Sequence, residues 1–185
     1  MNAILSFLQQ RNSAPKLTEP APSDEQMEEI FRAALRAPDH AWLKPTRFIT
    51  IGKERREAFG ELLESCLVRR QPEADEAART KARNAPLRAP LLVAVVAHYS
   101  EHPKVPLLEQ QLSAGCAAYA VLLGAEALGF AGIWRTGASA FDREVMRGLG
   151  MAENEEIVGF LYLGTRDGTA KPLPARDTAE FVRAW

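Results

Sequence analysis

The chain has 185 residues, 46% hydrophobic and 25% charged, with 23 Lys and Arg against 24 Asp and Glu for a formal net charge of −1. That length is most simply one domain with a proper core, and near-neutrality leaves no global field to recruit nucleic acid or an anionic membrane. Cys66 and Cys116 are too few and too unpatterned for a disulfide framework or a zinc site, which points to a reducing, cytoplasmic setting.

The N-terminal MNAILSFLQQRNS lacks the charged start, long apolar centre and cleavage site of a signal peptide. It reads as a short amphipathic helix with Ile4, Leu5 and Leu8 on its apolar stripe, ending near Arg11-Asn12-Ser13. Leu17 to Pro22 is a Pro-punctuated connector, and Ser23 is a good N-cap. Met27, Ile30, Phe31, Ala34 and Leu35 then follow helical spacing up to Arg36, where Pro38 stops the helix. Asp39 to Pro45 is a loop carrying His40 and Trp42, and Arg47 to Ile51 alternates as a strand does. Glu54 to Val68 is a second amphipathic helix, using Phe59, Leu62, Leu63 and Cys66. The charged stretch Gln71 to Arg88 predicts helix followed by loop. Its Arg79, Lys81, Arg83 and Arg88 are interleaved with Ala and lack neighbouring aromatics, as on a solvated face rather than a nucleic-acid patch.

Leu91 to Ala97 is a continuous apolar strand, covered on both faces. A polar loop, His98 to Pro106, presents His98 and His102 at the surface, and a long helix starts near Leu107. The segment SAGCAAYAVLLGAEALGFAGIWRT, Ser113 to Thr136, holds a single acid, Glu126, and no polar stripe wide enough to face water. A helix apolar all round is predicted to be buried on every side, with Cys116 as a small hydrophobe inside it. Gly115, Ala118 and Gly124 predict close approach of another backbone, which includes that of a second copy. The run approaches bilayer length, but Glu126, the weak hydrophobicity of Ala and Gly and the lack of a second such segment argue against a membrane span. A break at Gly129 to Gly132 leads to a short strand, Ile133 to Thr136. Phe141 to Leu149 is a short helix and Ile157 to Leu163 a strand closed by Gly164. The Pro- and charge-rich tail from Arg166 ends in Phe181, Val182 and Trp185, so it is expected to wrap a neighbouring surface, in a dimer the partner's. About six helices and four strands without a strict βαβ repeat define a three-layer α+β fold rather than a doubly wound one.

Three polar groups lie where the chain changes course. Arg11-Asn12-Ser13 can surround a phosphate, or the Arg can simply complement a helix C-terminus. Arg36 and His40 flank a forced turn; His40 beside Asp39 reads as a general base, a metal ligand or an ordinary loop histidine, and without other ligands at metal spacing a metal is discounted. Trp134, Arg135 and Thr136 at a strand exit suit a flat, polar-edged ring system, or mark a core Trp. No Gly-x-Ser-x-Gly elbow, Walker loop or dinucleotide fingerprint is present.

Arg11-Asn12-Ser13, Arg36-Ala-Pro-Asp-His40 with Pro45 and Phe48, the segment Ala114 to Gly137, and Val158-Gly-Phe-Leu-Tyr-Leu-Gly164 occur together in the order found in the FMN-dependent nitroreductase family. With Asn84-Ala-Pro86 and Lys104-Val-Pro106 between them, the chain resembles the short single-domain bacterial form of that family over nearly its whole length. The resemblance implies a three-layer α-β-α fold with a mainly antiparallel sheet, and a homodimer with a domain-swapped C-terminal tail. It implies two FMN sites in the subunit interface, with hydride passing from NAD(P)H through FMN to a small electron-poor acceptor such as a nitroaromatic or quinone. Carried over, Arg11, Asn12 and Ser13 would hold the flavin phosphate and ribityl chain, Arg36 and His40 would reach FMN from the other subunit, and Trp134, Arg135 and Thr136 would complete the pocket. His40 is the one candidate proton donor. Gly124, Ala125, Glu126, Ala127, Leu128 and Gly129 are the candidates for nicotinamide contact.

The chain departs from the family pattern at Asn12, where a second Arg is common, and at Pro15, where only Lys16 supplies a base. It departs again at Lys44-Pro45-Thr46, where Gln-Pro-Trp is usual. Lys44 would favour an anionic reduced ring or an acidic substrate. Two rivals share the scaffold: another flavin reaction such as dehalogenation, for which the Arg69 to Arg88 stretch is the only candidate lid, and a non-catalytic flavin-binding regulator.

Overall fold

The computed structural model describes residues 2–185. Six helices, α1 (Ala3–Gln10), α2 (Asp24–Ala34), α3 (Lys53–Arg70), α4 (Glu76–Asn84), α5 (Leu107–Ala127) and α6 (Arg143–Gly148), surround five strands, β1 (Leu17–Thr18), β2 (Thr46–Ile51), β3 (Leu91–His98), β4 (Ala131–Arg135) and β5 (Glu155–Arg166). Every paired strand is antiparallel. The ladder runs β2-β3-β5, with β4 on the far side of β5 and β1 beside the end of β5. The three-layer α+β architecture predicted from the sequence is therefore present.

The pleat divides the core. Leu92, Ala94, Phe160 and Tyr162 face one way, packing with Phe59 and Leu63 of α3 and Val145 and Met146 of α6. Val93, Val95, Leu161 and Leu163 face the other, against Met27 and Ile30 of α2 and Val121 and Leu122 of α5. This is the period-2 alternation a strand imposes, and it explains why Leu91 to Ala97 carries no polar face. α2 begins where the sequence places it, at a Ser23 capping box closed by Gln26.

Four boundaries differ from expectation. A fifth strand, β1, lies within the stretch read as a connector. β4 starts at Ala131, so the break after α5 is shorter than predicted. The Phe141 to Leu149 helix is a 3-10 turn, Ala138–Phe141, followed by α6. β5 runs on past Gly164 to Arg166, because Leu17 and Thr18 pair with Arg166 and Thr165. Gly164 does not terminate the strand; a Cβ there would meet Pro90 and the carbonyl of Thr18.

The charged Arg69 to Arg88 stretch is fastened down. Glu64 of α3 accepts from Arg79 at 3.0 Å and forms a two-pronged pair with Arg83 of α4, and the Arg83 guanidinium holds its carboxyl below the usual carboxylate range. Arg69 and Arg70 pair with Glu144 and Asp142 at the start of α6. Two bases expected on a solvated face, Arg79 and Arg83, thus tie α4 to α3. Gly60 lets the two helices touch, since a Cβ there would drive into the carbonyl oxygen of Arg83. Backbone cannot yield as a flexible side chain can, so Gly60→Ala should destabilise the fold by about 1–3 kcal/mol; denaturant unfolding checks this.

Candidate functional site

The long helix corrects one expectation. α5 is covered by its own chain on one side only: Ala114, Ala117, Ala118, Val121, Leu122 and Ala125 are buried, whereas Leu108 is 62% exposed, Leu112 59% and Tyr119 42%. Cys116, expected inside, lies on the exposed side. The residues recur at helical spacing and form one uncovered apolar stripe. The close approach predicted at Gly124 comes from this chain's own Ile30 of α2, whereas a side-chain carbon at Gly115 would meet the Trp134 indole only at an ordinary contact distance.

Two groups of candidate residues stand at opposite ends of α5. At its C-terminal end, Glu126 Oε1 accepts the backbone N–H of Asn12 at 3.2 Å. The Asn12 side chain donates to the Lys171 carbonyl at 2.6 Å, and the Asn12 carbonyl accepts from Arg166 at 2.8 Å. Asn12 is thereby spent as a strut. Arg11 reaches Ser13 Oγ at 3.4 Å, so Arg11, Ser13 and Arg166 gather round one half-buried loop. Arg166 escapes sequence reasoning because Gly164 reads as the end of the strand, whereas β5 continues to Arg166. The lone acid Glu126 now has a structural purpose, Gly124 and Ala125 are packed, and Gly129 turns the chain at φ 85°.

At the N-terminal end, His40 Nδ1 lies 2.6 Å from Glu109 Oε2 in the first turn of α5. With Glu109 ionised, Nδ1 carries the shared proton and Nε2 is the outward nitrogen. Glu109 and Glu126 are seventeen residues apart on one helix, so the two groups are separated by about 26 Å in a single chain. Arg36 is exposed just past α2.

The loop between these residues is strained. Ala41, Trp42 and Lys44 have φ of 59°, 57° and 53°, left-handed backbone that costs a non-glycine residue roughly 1–2 kcal/mol each. Asp39 holds it, accepting the N–H of Leu43 at 3.0 Å and of Lys44 at 2.8 Å. A cavity of about 430 Å³ opens beside it, lined by Lys44, Pro45, Thr46 and Arg47 and by Ser113 of α5.

Trp134, Arg135 and Thr136 do not act as one patch. The pleat sends Trp134 to the α2 and α5 side, where Gly159 of β5 clears its ring. Arg135 lies on the other side, 5.6 Å from the Tyr162 ring centroid, with its buried Nε unpartnered. Burial and the nearby Arg88 hold its pKa below the usual guanidinium value. Thr136 is exposed at the strand exit. No group of three or more potential metal ligands exists among the described residues, and no described helix is long and apolar enough to cross a membrane.

The nitroreductase family model matches residues 8–165. Over 161 residues the chain is 48% identical to the "Putative NAD(P)H nitroreductase YdjA" of Escherichia coli strain K12, covering 87% of each protein. Its fold matches that of a nitroreductase-like family protein from Bacillus cereus at TM-score 0.84 and 19% identity, over 100% of this chain and 97% of the other. It also matches a nitroreductase with bound FMN from Bacteroides fragilis at TM-score 0.76 and 21% identity, over 100% of both. The chain belongs to the nitroreductase family.

The glycine at 159 is what allows a tryptophan at 134, because a Cβ there would overlap the indole nitrogen and its ring carbons. Gly159→Ala, in a background with Trp42 and Trp185 replaced by Phe, should shift the remaining indole emission to the red and cost about 1–3 kcal/mol; fluorescence and denaturant unfolding read both.

Proposed function

We propose that the protein is a flavin oxidoreductase of the nitroreductase type: a single-domain homodimer that binds FMN in each of two seams and passes reducing equivalents from NAD(P)H to a small electron-poor acceptor. The observation that carries this reading is the split site. Two polar clusters sit at opposite ends of α5, and the face of α5 between them is apolar and uncovered by its own chain. Pairing two α5 helices antiparallel about a two-fold axis would cover that face and bring the Arg11 end of one copy to the His40 end of the other. Ile4, Leu5 and Leu8 of α1 and Phe181, Val182 and Trp185 of the tail are likewise exposed apolar side chains, the surface a partner would cover. Beyond Gly132, whose carbonyl accepts from Ala14, the outer edge of β4 would receive a swapped tail strand.

The residues fit the cofactor. Arg11 and Arg166 supply two guanidiniums and Ser13 a hydroxyl for a phosphate carrying nearly two negative charges. Arg166 stands in for the second Arg that the family commonly has at Asn12, and Asn12 braces the loop rather than touching the ligand. Trp134 would wall the pocket from the α2 and α5 side of β4 and Thr136 would offer a hydroxyl at the strand exit, while the unpartnered Nε of Arg135 lies on the opposite face of the strand. When bound, FMN would supply two-electron transfer between the nicotinamide and the acceptor. The protein's share is to orient both and exclude water. His40, held by Glu109 through Nδ1, would in its doubly protonated form present Nε2–H to the acceptor as a proton donor. Gly124 and Ala125 we assign to helix packing and Glu126 to bracing Asn12, which leaves the exposed Ala127, Leu128 and Gly129 as the candidates for nicotinamide contact. The ion pairs that tie α4 to α3 count against a lid there, which disfavours the dehalogenase-like alternative. The two free cysteines suit a reducing, cytoplasmic setting.

Purified protein should be yellow, and NAD(P)H added without oxygen should bleach it; a yellow protein that resists bleaching would support a flavin-binding regulator instead. His40→Ala should leave that bleaching rate intact and slow acceptor reduction by about 100-fold, as stopped-flow measurement of the two half-reactions would show. Cys116 lies near the middle of the exposed α5 stripe, so a short bis-maleimide should link two copies covalently, and Cys116→Ser should abolish the link. A monomer at micromolar concentration by sedimentation would overturn the shared site.

A further inference from the structure

The loop between α2 and β2 carries more positive charge than the cofactor needs. Lys44 and Arg47 line the cavity described above, and Lys44 also lines a neighbouring hollow of about 390 Å³ with Arg36 and Trp42. Against these three cations the two hollows present one carboxylate, Asp39. Both of its oxygens already accept backbone N–H groups. Arg36, Lys44 and Arg47 form no ion pair among the described residues. Arg47 spends one guanidinium nitrogen on the carbonyls of Lys44 and Thr46, which pins its head group at the cavity mouth.

Of the remaining walls, Leu35, Ala37 and Pro45 are apolar and Thr46 and Ser113 add hydroxyls, while Trp42 stands 84% exposed on a left-handed backbone that its neighbours hold in place. An exposed indole held at a cost in strain beside unpaired cations is a recognition surface for a flat ring bearing a negative charge. The flavin phosphate does not require these cations, because Arg11 and Arg166 already balance it.

We propose that this cavity selects electron-poor aromatic carboxylates as acceptors, with the ring against Trp42 and the carboxylate met by Lys44 and Arg47. The inference rests on the oxidoreductase reading given above and names its substrate class. For 4-nitrobenzoate the reaction balances as a two-electron reduction. The hydride equivalent of NAD(P)H and a proton are consumed, one N–O bond breaks, and 4-nitrosobenzoate, water and NAD(P)+ form. Lys44 and Arg47 take no part in electron transfer; they fix the ring and so act on affinity.

The test compares 4-nitrobenzoate with nitrobenzene on the flavin-loaded enzyme, by steady-state kinetics and by calorimetric binding to the oxidised protein. Wild type should bind and turn over the carboxylate about tenfold better, the gain lying in KM and Kd. Lys44→Gln and Arg47→Gln should each remove most of that preference while nitrobenzene kinetics stay within about twofold, and Lys44→Glu should reverse it. Equal wild-type affinity for both compounds would overturn the inference. So would an equal loss with both acceptors in Lys44→Gln, the result expected if that cation serves the reduced flavin. A protein that reduces nitrobenzene without preferring the carboxylate defeats this inference alone, whereas one that takes up no FMN and reduces neither defeats the oxidoreductase reading with it.

Discussion

Helix α5 sets the terms for the rest of the molecule. Its buried side, Ala114, Ala117, Ala118, Val121 and Ala125, is made of small residues that let the sheet and α2 approach, and Gly124 brings Ile30 close enough that a methyl group would be tight. Its other side carries Leu108, Leu112, Cys116 and Tyr119 with no cover from the same chain. A stripe of that size left in water forfeits roughly 25 cal/mol for each Å² of apolar surface. The same helix holds two polar clusters apart by its own length, so no folding of one chain can join them. A two-fold partner answers both problems at once, which is why the dimer and the cofactor site are one hypothesis rather than two.

The polar residues around α5 divide into those that hold backbone and those left free for a ligand. Glu126, Asn12 and Asp39 spend their oxygens and amides on N–H and C=O groups of neighbouring loops. Arg11, Ser13, Arg36 and Lys44 do not. Buried or half-buried polar atoms are costly unless satisfied, so the struts account for their own presence, whereas the exposed Arg36 and Lys44 are hydrated and free to meet a ligand. Arg135 makes the contrast sharpest, with a buried Nε that the described chain leaves without an acceptor.

Much of this was legible in the sequence, for physical reasons that differ by element. The apolar run Leu91 to Ala97 and the Ser23 capping box are local signals, and they gave β3 and the start of α2. The phosphate candidates Arg11 and Ser13 were visible as adjacent residues. Arg166 was not, because Gly164 reads as a strand end when nothing reveals that it makes room for Pro90 and Thr18. The two-residue strand β1 has no periodicity to detect and exists only through its pairing. Composition shows that α5 is apolar but not what covers it, so Cys116 reads as a core residue although its own chain leaves it exposed. The pairing of Arg79 and Arg83 with Glu64 depends on a contact between two helices and leaves no mark in either helix alone.

The strained loop bears on whether the chain is an enzyme or a flavin-binding remnant. Three left-handed non-glycine residues within four positions cost together several kcal/mol, a large share of the 5–15 kcal/mol that stabilises an ordinary domain. Glycine at any of the three would relieve the cost, yet the positions hold Ala41, Trp42 and Lys44. Relief at 42 or 44 would remove the exposed indole or the cation beside the cavity. A protein that only retained a pigment would gain stability by that exchange and keep its phosphate contacts, since Arg11, Ser13 and Arg166 lie outside this loop. A protein that must present a ring and a charge to a passing acceptor could not make it. The strain is concentrated where an acceptor would enter, and that placement favours turnover over mere binding.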